Sequence, residues 1–211
     1  MGLPVLILGE SGSGKSASMR NFTPADVSIF NVAGKPLPFR TQLPSVTTSD
    51  YERIKGMIRK SGKKAFVIDD SQYLMCFEAF SKAKETGYGK YTDMALHFYN
   101  LIQFIIRDTA PDVIVYFLHH TEQDSNSGKI KAKTMGKMLD NQLTVEGLFS
   151  IVLLCQTDGR THSFITQSDG FTPAKSPMEM FDPEIDNDLK MVDKTIREYY
   201  NFTQKGDKNH D

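Results

Sequence analysis

Residues 9 to 16 read Gly9-Glu10-Ser11-Gly12-Ser13-Gly14-Lys15-Ser16 and fill every fixed position of the phosphate-loop pattern: two glycines, a lysine and a hydroxyl residue. Each residue type has a physical reason to be there. Glycines let successive backbone N–H groups turn inward around phosphate oxygens, Lys15 adds a point charge for the β- and γ-phosphates, and Ser16 offers an oxygen to magnesium. Ahead of the loop, Leu3 to Leu8 is a short apolar run suited to a buried parallel strand, and Ala17 to Phe22 can continue as a helix. That helix would point its positive end at the same anion. The pattern predicts that ATP and magnesium bind here, in a cradle of Gly9, Glu10, Ser11, Gly12, Ser13, Gly14, Lys15, Ser16 and Ala17.

A second segment, Ala65-Phe66-Val67-Ile68-Asp69-Asp70, sets four apolar residues before two carboxylates. Taken alone, a strand ending in Asp often just turns or caps a helix. Downstream of the glycine-rich loop the metal reading is preferred, with Asp69 joining Ser16 in the magnesium shell.

A chain of 211 residues with 39% hydrophobic composition can bury one sizeable core, so residues 1–200 are expected to form a single domain. A net charge of −1 gives no overall attraction to nucleic acid, and such a surface would have to be a local patch. The two cysteines, Cys76 and Cys155, have no metal-type spacing, which suits reduced thiols in a cytoplasm. No apolar stretch approaches the ~20 residues of a membrane span and no leader pattern stands out, so no membrane partner is expected.

Further strands are expected at 27–32, 113–118, 151–154 and 163–166. A helix starting at Ser49-Asp50 should bury Ile54, Met57 and Ile58, and a long helical region broken near Gly87 and Gly89 should bury Met94, Phe98, Leu101, Ile102 and Ile105. After Pro183, Ile185, Leu189, Val192, Ile196 and Tyr199 recur at helical spacing. Strands alternating with helices imply a three-layer α/β domain with a mainly parallel sheet and a C-terminal helix. The polar stretch 201–211 reads as a disordered tail.

Three features lie beyond the loop. His119 and His120 end the 113–118 strand, where ligands of open α/β sheets sit, and His119 is the preferred γ-phosphate sensor. The alternative is an ordinary polar strand end. Lys129, Lys131 and Lys133 recur at period two, with Lys137 beyond, and an extended segment would align them along a phosphodiester backbone. A solvated charged face is the competing account, and the segment lacks aromatic residues for base stacking. Lys175, before Ser176-Pro177, either reaches a phosphate as finger residues do or is a surface lysine.

Together, Gly9 to Ser16, Asp69-Asp70, His119-His120-Thr121-Glu122 and Lys175-Ser176-Pro177-Met178 make the chain resemble small phage-encoded AAA-family, RecA-like P-loop ATPases. The resemblance spans Met1 to about Tyr200, and some members are similar to the single-strand annealing proteins of phage recombination. It implies a magnesium-dependent ATPase, single-stranded DNA as partner at Lys129 to Lys137, ring or filament assembly, a single-stranded-DNA-binding protein as a candidate second partner, and the cytoplasm of a host bacterium. RecA-like enzymes commonly carry a catalytic glutamate after the second strand, whereas this chain has Ala33-Gly34-Lys35 there. Asp70 is then the best substitute base, with Glu10 second. Two rival functions stay open: a small P-loop kinase, disfavoured because residues 122 to 137 hold no arginine for a lid, and a nucleotide-switched interaction module.

Overall fold

The computed structural model describes residues 1–87, 89–135 and 143–202. In chain order these form strands β1 (Leu3–Gly9), β2 (Val27–Asn31), β3 (Ser45–Thr47), helix α1 (Tyr51–Lys60), β4 (Ala65–Asp69), α2 (Gln72–Ser81) and α3 (Gly89–Asp108). There follow β5 (Ile114–Gln123), β6 (Ile130–Ala132), β7 (Ile151–Thr157), β8 (His162–Ile165), β9 (Glu184–Asp186) and helix α4 (Leu189–Tyr199).

One sheet runs in the order β3-β2-β4-β5-β1-β7-β8-β9, with β6 paired to the far end of β5. The strands from β3 to β7 in that order are mutually parallel, while β8, β9 and β6 pair antiparallel. The fold is therefore α/β with a mostly parallel, mixed sheet. Alternation along the central strands sends Leu6, Leu8, Phe66, Ile68, Val115 and Phe117 into one core, shared with α1, α2 and α3. Val5, Ile7, Val67, Ile114, Tyr116 and Leu118 enter a second core on the opposite face, closed by Met19, Phe22 and the α4 residues Leu189, Val192 and Ile196. Strands buried on both faces explain the near-continuous apolar runs of β1, β4 and β5. Helices on both faces are compatible with the expected three layers.

Helix starts follow their capping residues. Asp50 Oδ1 accepts from the backbone N–H groups of Glu52 and Arg53 at 2.8 and 3.0 Å, and Asp188 does the same for Lys190 and Met191 at 3.0 and 3.3 Å. The second cap corrects one expectation: the C-terminal helix begins at Leu189, and Ile185 lies in β9. The segment after the glycine-rich loop, expected as a helix over Ala17 to Phe22, is a six-residue 3₁₀ helix over Ser16–Asn21, which Phe22 ends by taking extended backbone at ψ 150°. β5 continues past Leu118 to Gln123, sustained by its pairing with β6. At the expected tail, Asn201 and Phe202 still belong to the fold, since Phe202 stacks on Tyr200 with ring centroids 5.5 Å apart. Residues 203–211 lie outside the described residues. Among the described residues no helix is long and apolar enough to cross a membrane.

Candidate functional site

Sheet order brings the separated motifs together. Parallel strands aim their carboxyl ends the same way, so the segments after β1, β2, β4 and β5 share one edge. There Ser11, Gly12, Gly14, Lys15, Ser16 and Ala17 line a cavity of about 360 Å³ with Lys35, Pro36, Pro38, Asp69, Asp70, His120 and His162. That volume lies within the ~300–1,000 Å³ of small-ligand pockets.

The loop is shaped around its own lysine. Lys15 Nζ donates to the carbonyls of Gly9 and Glu10, both at 2.8 Å. Burial pulls its ammonium below the ordinary lysine value, opposed by the nearby Cys155, Asp70 and Asp69. Two glycines are sterically required. A side chain on Gly9 would meet Ser13 Oγ at 2.4 Å, and one on Gly14, at φ +102°, would meet His162 Nδ1 at 2.8 Å. The Ser13 carbonyl in turn accepts from His162 Nδ1 at 2.8 Å and from Cys155 Sγ at 2.9 Å, tying the loop to β8 and β7.

Ser16 Oγ donates to Asp69 Oδ1 at 2.8 Å. Asp69 has the parity of Val67 in β4, hence faces the side on which the 3₁₀ helix packs, and that is why the two meet. Burial raises the Asp69 carboxyl, only partly offset by the Ser16 hydrogen bond. Among the described residues no cluster of three or more His, Cys, Asp or Glu side chains forms a metal cage. One carboxylate beside one hydroxyl instead matches magnesium's habit of binding few protein oxygens together with substrate phosphates.

Asp70 differs from its neighbour. Its backbone adopts φ +59°, a left-handed conformation uncommon for a non-glycine residue. Both carboxylate oxygens are engaged, Oδ2 with Lys35 Nζ at 2.8 Å and Oδ1 with His120 Nε2 at 3.2 Å. Burial pushes this carboxyl up, but the bonds from His120 and Lys35 outweigh it and hold it at about 2. Lys35 Nζ also stands 5.1 Å from the Tyr73 ring centroid.

The histidine facing the cavity is His120, not His119. His120 shares parity with Tyr116 and Leu118 and so looks toward the loop side, whereas His119 follows Val115 and Phe117 into the α3 core. The His119 ring is fully buried, 5.8 Å from the Phe98 ring, donating from Nε2 to the Lys133 carbonyl at 2.7 Å and accepting from Ser71 Oγ at 2.9 Å. Burial lowers its pKa to about 4, so it stays neutral.

Lys175 is not among the residues lining the cavity. Its backbone bridges Val152, and it lines a separate depression with Lys129, Lys131, Asp124, Ser127 and Glu146. Lys131 faces Glu122 across the β5–β6 pairing at 2.9 Å, which neutralises part of the expected row of charge. Lys133 follows β6, its backbone N–H bonded to the His120 carbonyl at 2.9 Å, and Lys137 lies outside the described residues. Glu10 is exposed and does not line the cavity.

Sequence reasoning missed Lys35 and His162, and of the two histidines it named at the strand end it preferred His119 to His120. The parity that separates His120 from His119 could be read only from knowing which face the 3₁₀ helix covers. Comparison with protein-family models and with curated proteins found no match.

Proposed function

We propose that the chain is a magnesium-dependent, ATP-binding and ATP-hydrolysing protein with a RecA-like core, acting on single-stranded DNA in phage recombination or replication. One observation carries the nucleotide part: Ser16 and Asp69, 53 positions apart, meet at 2.8 Å beside a lysine folded into a glycine-rich loop. This is the donor set that a triphosphate and its metal require. Lys15 would exchange the Gly9 and Glu10 carbonyls for β- and γ-phosphate oxygens, while the loop's backbone N–H groups orient the chain of phosphates. Ser16 and Asp69 would hold magnesium, which would neutralise charge on the phosphate oxygens.

Ring or filament assembly rests on the resemblance alone, and DNA binding on the resemblance together with Lys129, Lys131 and Lys175 around one depression, which Asp124 and Glu146 also line. A second reading, a nucleotide-switched module with little turnover, is favoured by Asp70. A carboxylate with both oxygens engaged and a pKa of about 2 is a weak general base, so hydrolysis should be slow.

Steady-state ATP hydrolysis with magnesium, with and without a single-stranded oligonucleotide, tests the proposal on the wild type and Lys15→Ala. DNA-stimulated turnover that vanishes in the variant supports it. Turnover indifferent to DNA contradicts the DNA part, and transfer of phosphate to an added nucleoside would favour a kinase.

A further inference from the structure

Sheet order also fixes what stands at the far wall of the cavity. From β1 outward the strands run β5, β4, β2, so Lys35, four residues past β2, enters the cavity shared with Lys15 from the β2 side. Asp69 and Asp70 lie between. With Lys15 on the β- and γ-phosphates, the terminal phosphate would be the group that reaches toward Asp70 and Lys35, which line the same cavity. Resting on the nucleotide reading above, we propose that Lys35 is the residue that distinguishes a triphosphate from a diphosphate, by leaving Asp70 to pair with the terminal phosphate.

Four features suit Lys35 to that exchange. Its backbone is pinned, because Asn31 Nδ2 donates to the Lys35 carbonyl at 2.6 Å. Its side chain is 59% exposed, so the ammonium can swing without opening the core. Solvent screens the pair on the lysine side only, Asp70 being 12% exposed, but His120 stays on Asp70 Oδ1 when Lys35 leaves, and a multiply charged phosphate competes well against a single carboxylate. Finally, the Tyr73 ring offers the ammonium a π face 5.1 Å away, which helps to hold it at the cavity when it leaves Asp70. The bland alternative is a structural tie that merely fastens the 33–38 loop to Asp70.

Calorimetric titration of the full chain with ATP and with ADP, both with magnesium, separates the two accounts. Lys35→Met keeps length and removes charge; Lys35→Arg restores the charge. We expect Lys35→Met to lose about tenfold in ATP affinity, the worth of one charge-assisted contact, with ADP affinity within about twofold of wild type. Lys35→Arg should recover most of the ATP affinity. An unchanged ATP-to-ADP ratio in Lys35→Met, or an equal fall for both nucleotides, overturns this role while leaving nucleotide binding intact. A wild type that binds neither nucleotide overturns the nucleotide reading itself, and this inference with it.

Discussion

Ser16 Oγ donates to Asp69 Oδ1 at 2.8 Å, joining the first turn after β1 to the end of a strand two places away in the sheet. The carboxylate is buried and its pKa is raised by that burial, so the folded protein bears a cost for keeping it charged. Asp69→Asn should therefore melt no lower than the wild type while losing the magnesium dependence of ATP binding. Thermal melting and titration at varied magnesium check the pair. A variant that melts lower yet keeps its magnesium dependence would show Asp69 to be structural.

The loop geometry predicts two losses that do not add. Gly14→Ala imposes a left-handed backbone on alanine and a contact at 2.8 Å with His162 Nδ1. Together these should cost roughly 1–3 kcal/mol and weaken ATP binding. Adding His162→Ala relieves the contact but not the backbone strain and also removes the His162–Ser13 hydrogen bond, so the double variant should lose less stability than the sum of the two single changes. Denaturant unfolding of the two single variants and the double provides the comparison, and strict additivity would refute the contact as a cause.

His119 gives a pH dependence whose sign is fixed by its neutral burial. Its folded pKa of about 4 lies below the ordinary ~6.5, so between these values the unfolded chain binds more protons than the folded one. Its contribution is present above pH ~6.5 and lost as pH falls toward 4, roughly 3 kcal/mol in all. His119→Gln, although less stable, should show a shallower fall in stability across that window. Equal slopes in the two proteins would contradict a titrating His119.

The β6 lysines expose the DNA reading to a single charge-reversal test. Lys129→Glu, Lys131→Glu and Lys133→Glu together reverse three charges on and beside a strand already bordered by Glu122 and Asp124. At ~0.1 M salt, where exposed charges act over only ~10 Å, single-stranded oligonucleotide binding should disappear. Binding that survives the triple change places the DNA surface elsewhere.

The glycine-rich loop and the central strands are legible in the sequence because local chemistry dictates them: Gly9 and Gly14 tolerate no side chain, and β1, β4 and β5 are apolar on both faces. Asp69 is legible as the residue closing an apolar run. What escapes depends on three-dimensional parity and pairing. His120 faces the cavity only because Leu118 and Tyr116 share its side of β5, a relation set by where the 3₁₀ helix packs. Lys35 reaches Asp70 only because β2 neighbours β4, an adjacency no local pattern encodes. Lys175, which the sequence leaves open between a phosphate contact and a surface lysine, is set by its bridge to Val152 beside Lys129 and Lys131.

Whether the loop holds a triphosphate decides the rest. Equilibrium titration of the wild type and Lys15→Ala with ATP, in magnesium and in its absence, asks this directly. Saturable, magnesium-dependent binding that falls by about a hundredfold or more in Lys15→Ala, with both proteins melting cooperatively, is the result expected when a charge-assisted contact at the phosphates is lost. Binding of equal strength in the variant, or none in the wild type, would contradict the assignment of Gly9 to Ser16 as a nucleotide cradle.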